Sequence, residues 1–191
     1  MKRIYLLILA VLFLTALANA QNPKVEITTS FGTIELEIYE DKASITAKNF
    51  LHHVDQNTFK DACFYRVVRM DNQGNRNTKI EVIQGGLFHD SIVDQIPTII
   101  HENTKQTGVM HTDGVISMAR NQPGSASTEF FICVGEQASL DYGGMRNSDG
   151  QGFAAFGKVI KGMDVVKQIQ VQKDEGQMLI EKIKILSLKR K

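Results

Sequence analysis

Val25-Glu26-Ile27-Thr28 and Ile34-Glu35-Leu36-Glu37-Ile38, separated by Ser30-Phe31-Gly32, decide how this chain begins to fold. In both runs apolar and polar residues alternate, so an extended strand would present one apolar face and one wet face. Two such runs joined by a short turn containing glycine predict an antiparallel hairpin. The period then changes. Ala43, Ala47, Phe50, Leu51 and Val54 share one helical face, with Asp41 or Ser44 available as the N-cap. A hairpin therefore leads into an amphipathic helix.

Beyond it the apolar runs are short and strand-like: Phe64 to Val68, Val82-Ile83, Val115 to Ala119, Phe130 to Val134 and Phe153 to Ile160. A brief helical face at Met163, Val166 and Ile169 follows. The chain then closes on Leu179 to Leu188, where Ile183 and Ile185 alternate with Lys182, Lys184 and Ser187. Many short strands, two helices and no strand–helix–strand rhythm predict a mainly β fold on a closed antiparallel sheet, with the first and last strands of the chain as its outer strands. Arg69 to Lys79 and Gly143 to Gly152 are rich in Asn, Asp and Gly and read as loops longer than the geometry requires.

Residues 1–20 stand apart. Lys2 and Arg3 precede an apolar stretch from Ile4 to about Leu17, ending in Ala18-Asn19-Ala20 with polar Gln21-Asn22-Pro23 behind it. This pattern predicts a secretory signal peptide cleaved after Ala20. The stretch is short of the ~20 apolar residues of a membrane span, so no stable membrane anchor is expected. The destination is the periplasm or the extracellular space, and residues 21–191 form one domain.

The 191 residues are 42% hydrophobic and 23% charged, with 15 Gly and 3 Pro, which excludes a disordered or collagen-like chain. Loss of Lys2 and Arg3 from 22 basic residues leaves 20 against 21 acidic ones, a charge of about −1. A nucleic-acid partner calls for a basic face or a pI above ~9, and none is expected. Cys63 and Cys133 are too few for a disulfide scaffold. Each lies in an apolar run and is read as buried and unpaired, although spacing alone leaves a bridge open.

The familiar catalytic signatures are missing. His52, His53, His89, His101 and His111 show no metal-ligand spacing, so neither a metal nor another cofactor is expected. Pro123-Gly124-Ser125-Ala126-Ser127 lacks the second glycine of a nucleophile elbow. Arg66, inside apolar Phe64-Tyr65-Arg66-Val67-Val68, does stand out. Alternation puts Phe64, Arg66 and Val68 on one face and Tyr65 and Val67 on the other. The arginine then lies either on a wet strand face or at the wall of an apolar cleft, and the pattern does not choose.

The chain resembles the cyclophilin-type peptidyl-prolyl cis–trans isomerases over nearly all of residues 21–191. Carrying the resemblance are Phe64-Tyr65-Arg66-Val67-Val68, Ile83-Gln84-Gly85-Gly86, Gly114-Val115-Ile116-Ser117-Met118-Ala119, Ser127-Thr128-Glu129-Phe130-Phe131-Ile132, Leu140-Asp141, and Phe156-Gly157-Lys158-Val159 running into Gly162-Met163-Asp164-Val165-Val166. It implies a closed eight-stranded antiparallel β-barrel capped by two α-helices, and proline-containing polypeptides as substrates. It places the catalytic arginine at Arg66 and a contact to the substrate backbone at Gln84. Phe131, Leu140 and Phe153 line the pocket for the proline, with Val82 adding to its wall. Backbone groups near Ala119 and Arg120 pair with the peptide as an added strand would. No oligomer is required, so a monomer is expected.

Three departures bear on function. Many members have a short Pro-Gly turn after the catalytic arginine, whereas this chain inserts Arg69 to Lys79 and carries Glu81 where an aromatic is common. Glu129 replaces a glutamine among the substrate-binding residues, so an acceptor-only carboxylate stands for an amide that also donates. Ser139 replaces a large aromatic, often tryptophan, so weak cyclosporin A binding is expected. The alternative reading is a peptide-binding chaperone module on the same scaffold with weak or no catalysis.

Overall fold

The computed structural model describes residues 21–191, so the signal-peptide reading of residues 1–20 lies outside the described residues. β1 (Lys24–Thr29) and β2 (Gly32–Ile38) pair antiparallel, with Val25 opposite Leu36 and Ile27 opposite Ile34. All four, with Ile38, are fully buried. Thr29 Oγ1 donates to the Gly32 carbonyl and accepts the Phe31 amide, closing the turn. Gly32 sits at φ +132°, and a Cβ there would press against Val165.

The remaining strands are β3 (Cys63–Val68), β4 (Val82–Gly86), β5 (Val115–Met118), β6 (Phe130–Cys133), β7 (Ala154–Lys161), β8 (Asp174–Glu175) and β9 (Met178–Arg190). Their order is β1-β2-β7-β5-β6-β4-β3-β9, and β9 pairs back onto β1 with Ile27 opposite Leu188. Eight antiparallel strands thus close a barrel, while two-residue β8 forms a flap on β9. The expectation of outer strands is corrected here: the first and last strands are neighbours, and closure leaves the ring without an edge.

α1 (Ser44–Asp55) buries Ala47, Phe50, Leu51 and Val54 as the periodicity predicts. Its N-cap is not Asp41 or Ser44. Ala43 holds that position without a side-chain bond, and Glu102 supplies the cap, its Oε2 accepting from Thr46 N at 2.6 Å and Thr46 Oγ1 at 2.8 Å. The carboxylate also sits favourably at the positive end of the helix. Two short helices, α2 (Asp90–Val93) and α3 (Thr104–Thr107), were not expected; α4 (Met163–Gln170) was, and it buries Val165, Val166 and Ile169.

α1 and α4 cover opposite ends of the barrel. A turn at Thr58–Asp61 carries the chain from α1 to the Cys63 end of β3. At the other end Gln170 of α4 donates to the Val68 carbonyl. Between them lies one core in which Phe50 meets Phe59, Phe130 and Phe156 at centroid distances of 5.1–5.8 Å. Cys63 and Cys133 are buried and free. Cys63 pairs with Gly86 and Cys133 with Val82, at opposite ends of β4. Four residue steps along β4 alone offset them by roughly 13 Å, beyond the ~7 Å that a disulfide spans.

Candidate active site

β3 departs from simple alternation. Phe64 pairs with Gly85 and Arg66 with Gln84, so Tyr65 is an extra residue with no partner on β4. Such a bulge turns two successive side chains to one side. Phe64 and Val67 enter the barrel core, while Val68 joins a separate apolar cluster with Val82 and Phe131. The expected face of Phe64, Arg66 and Val68 is corrected accordingly: Tyr65 and Arg66 both reach the outside, where they line a cleft of about 750 Å³.

Arg66 is half-buried and held from two sides by neutral amides. Its Nη1 donates to Gln84 Oε1 at 2.8 Å, and Nε and Nη2 donate to Gln177 Oε1 at 3.1 and 2.6 Å. Burial pulls its pKa below the ordinary guanidinium value, but a guanidinium keeps its charge in proteins. Gln84 Nε2 donates to Tyr65 Oη at 2.7 Å, and Tyr65 Oη donates to Glu129 Oε2 at 2.6 Å. Glu129 Oε1 accepts the Leu87 amide at 2.7 Å. A continuous row therefore runs from Arg66 through Gln84 and Tyr65 to Glu129, fixing the face Gln84 shows the guanidinium, while Gln177 is oriented separately by donating its Nε2 to the Asn72 carbonyl at 3.2 Å. Gly86, at φ +149°, makes room, since a Cβ there would collide with the Glu129 carboxylate.

Burial is the largest influence on Glu129 and raises its pKa, opposed by the Tyr65 and backbone hydrogen bonds; burial likewise pushes the Tyr65 phenol well above its usual range. Because folding raises the Glu129 pKa, this group favours the folded state at acidic pH. That contribution is lost as pH climbs from the ordinary carboxylate value through the folded one. Tyr65→Phe removes a donor and should widen that window. The Glu129 carboxyl, followed by NMR, is expected to titrate higher, and stability at neutral pH to fall by about 1–2 kcal/mol. An unmoved Glu129 titration would show that Tyr65 does not support the carboxylate.

Beside this row lies an apolar floor. Val68, Ile80, Val82, Phe131, Cys133 and Leu140 are buried together, with Ala119 and Phe153 packed on them. Phe131 and Phe153 meet edge to face at 5.3 Å and 89°. The Arg120 guanidinium covers the Phe153 ring at 5.1 Å and is paired with Asp149 at 2.7 and 2.9 Å, so this arginine braces the Gly143 to Gly152 loop. The Ala119 amide is spent on the Glu129 carbonyl at 2.8 Å. An added strand here must therefore use other backbone groups of Ala119 and Arg120.

Behind Phe131 the structure holds an Asp–His–Ser row. His111 Nδ1 lies 2.7 Å from Asp141 Oδ1, Nε2 lies 2.9 Å from Ser117 Oγ, and the imidazole stacks under the phenyl ring at 6.0 Å. Ser117 is fully buried. The hydroxyl faces away from any substrate, so the row supports the floor and cannot act as a nucleophile. Ser125 Oγ caps the Asn121 and Gln122 amides.

The loop after β3 is fastened at both flanks. Arg69 pairs with Asp174 and donates to the Gln170 carbonyl, and Asn72 Nδ2 donates to Asp174 Oδ2 at 2.9 Å. Buried Gln73 donates to the Arg69 and Ile80 carbonyls and accepts from the Ile80 amide and Arg146. Gln73→Ala removes the side-chain partner of the buried Ile80 amide and carbonyl and should lower stability by about 2 kcal/mol. A melting temperature unchanged from wild type would show that water replaces the amide at no cost.

The structure brings all nine residues expected at the site, Arg66, Val82, Gln84, Ala119, Arg120, Glu129, Phe131, Leu140 and Phe153, to the one cleft. Sequence reasoning missed Tyr65, Ile80 and Gln177. Tyr65 and Ile80 stood next to recognised residues, whereas Gln177 follows the Asp174-Glu175-Gly176 turn and lies 111 residues from Arg66.

Comparison with known proteins agrees with this geometry. Residues 24–190 match the family described as "Cyclophilin type peptidyl-prolyl cis-trans isomerase/CLD". A peptidyl-prolyl cis-trans isomerase of Acinetobacter baylyi is 36% identical over 170 residues, covering 88% of this chain and 82% of that protein. The crystal structure of a Cryptosporidium parvum cyclophilin-type isomerase superposes with a TM-score of 0.68 at 19% identity, covering 89% of this chain and 98% of that one. The same parasite protein crystallised in the presence of the dipeptide Ala-Pro gives 0.66 at 20% identity, covering 86% and 96%. The chain belongs to the cyclophilin-type peptidyl-prolyl cis–trans isomerase family.

Proposed function

We propose that the protein is an exported folding catalyst that accelerates rotation about X-Pro bonds in other polypeptides. The observation that carries this reading is Arg66, a permanent cation held by two glutamines in the cleft that the apolar side chains of Val82, Phe131, Leu140 and Phe153 also line. Rotation about a peptide bond costs ~18–20 kcal/mol because the nitrogen lone pair is delocalised into the carbonyl. In the twisted amide the lone pair returns to nitrogen, which becomes a hydrogen-bond acceptor. Arg66 donates to that nitrogen or holds the adjoining carbonyl, and the bond strengthens as the amide twists, as acceleration requires. Phe131, Leu140, Val82 and Phe153 grip the ring while the preceding carbonyl swings. Gln84 orients both Arg66 and the peptide backbone.

Lys2, Arg3, the apolar run and Ala18-Asn19-Ala20 support cleavage after Ala20 and delivery to the periplasm, where the protein works as a monomer with folding chains as clients. Export divides the reading into two checks. N-terminal sequencing of the secreted protein should begin at Gln21, and exchange NMR on an Ala-Pro peptide should show cis–trans exchange faster with the protein than without it. A folded protein that binds proline peptides but leaves their exchange rate unchanged would establish the chaperone alternative.

A further inference from the structure

Charge is unevenly placed around the cleft. Arg76, on the loop before β4, and Arg146, on the loop before β7, line it together with Arg66. The three lie close enough that Arg76 works against the charge of both others. Their acceptors are neutral: Arg66 has Gln84 and Gln177, and Arg146 has Gln73 Oε1 at 3.1 Å and the Thr78 carbonyl at 2.9 Å. Among the described residues none of the three forms an ion pair with a carboxylate. Arg120 shows the contrast, because its charge is met by Asp149.

The acidic residues of the cleft lie elsewhere. Asp90 and Asp94 follow the Gly86 end of β4, whereas the Arg76 loop precedes its Val82 end. The strand sets these ends roughly 13 Å apart. Glu129 gives both its oxygens to Tyr65 and Leu87. One end of the cleft, next to Ile80 and Val82, therefore gathers cations that pair with no carboxylate among the described residues, since Glu81 between those two does not line the cleft, and such an arrangement costs free energy until an anion arrives.

We propose that this end is an anion subsite selecting polypeptides that carry an aspartate or glutamate within three residues of the isomerised proline. The inference rests on the prolyl-isomerase reading of the same cleft and adds a substrate class to it. The open groove floored by apolar side chains suits an extended peptide, and a strand advances ~3.3 Å per residue. A side chain up to about three positions from the ring therefore reaches Arg76 and Arg146.

The test is a scan of peptides with one X-Pro bond and a single glutamate, or isosteric glutamine, at each position from three before to three after the proline. Exchange rates and the anisotropy of fluorescein-labelled peptides are measured on the same set. On one flank glutamate should be preferred over glutamine by roughly fivefold, the scale of one or two partly exposed ion pairs, with no gain on the other. The preference should collapse towards one in about 0.5 M NaCl and in Arg76→Gln, whose exposed position lies clear of the core. Equal values for glutamate and glutamine throughout, or a preference untouched by Arg76→Gln, overturn the subsite. If neither peptide is turned over, the affinities still decide it, and a glutamate preference in binding without turnover overturns the isomerase reading alone.

Discussion

Arg66→Ala is expected to lose at least about 100-fold in kcat/KM on an X-Pro peptide, since each tenfold is ~1.4 kcal/mol of transition-state stabilisation. Two features point to so large an effect. Among the described residues Arg66 is the cleft's only guanidinium carried on a barrel strand, and its three donating nitrogens are aimed by Gln84 and Gln177 before any substrate arrives. Preorganised donors need no rearrangement as charge develops, which makes them worth more than the same donors free in water. The fold should tolerate the change, because the freed amide oxygens face an open cleft where water replaces the guanidinium. Arg66→Lys should recover only part of the activity, since one ammonium cannot reproduce a planar fork bonded to two amides. A folded alanine variant within threefold of wild-type turnover would remove Arg66 from the mechanism.

The arrangement around Arg66 also shows how far the sequence reaches. The hairpin, the two longer helices α1 and α4 and the barrel strands were legible because each rests on a local period of two or 3.6. The α1 cap was not legible, since Glu102 arrives from 56 residues away. The short helix α3 could have been found from its own residues: Asn103 and Gln106 form a capping box, with Gly108 closing the far end at φ +71°. Alternation misplaced Phe64 because a bulge consumes one residue of register, and nothing in Phe64-Tyr65-Arg66-Val67-Val68 announces which residue is extra. The site divides in the same way. The residues of β3, β4 and β6 could be named from motifs, but Gln177 and the charged Arg76 and Arg146 come from turns whose position depends on the whole closed ring.

Cyclosporin A should bind this protein poorly and gain affinity on Ser139→Trp. Cyclophilins that bind this apolar cyclic peptide tightly resemble one another in a tryptophan just before the Leu-Asp pair, whose indole packs on the ligand and donates a hydrogen bond. Here Ser139 stands before Leu140-Asp141, and the chain contains no tryptophan. Ser139 lies in a tight turn at Ala138–Leu140, its carbonyl accepting the Arg146 amide at 3.1 Å, so the backbone that would present an aromatic is already fixed. Loss of a well-packed aromatic anchor costs ~2 kcal/mol or more, which is about 30-fold in affinity. Turnover should persist in both proteins, because the floor of Phe131, Leu140 and Phe153 is a separate cluster that does not include residue 139. Inhibition titrations decide the matter. Stoichiometric inhibition of the wild type would refute the weak-binding prediction, and a Ser139→Trp variant no more sensitive than wild type would show that this turn does not present its side chain to the ligand.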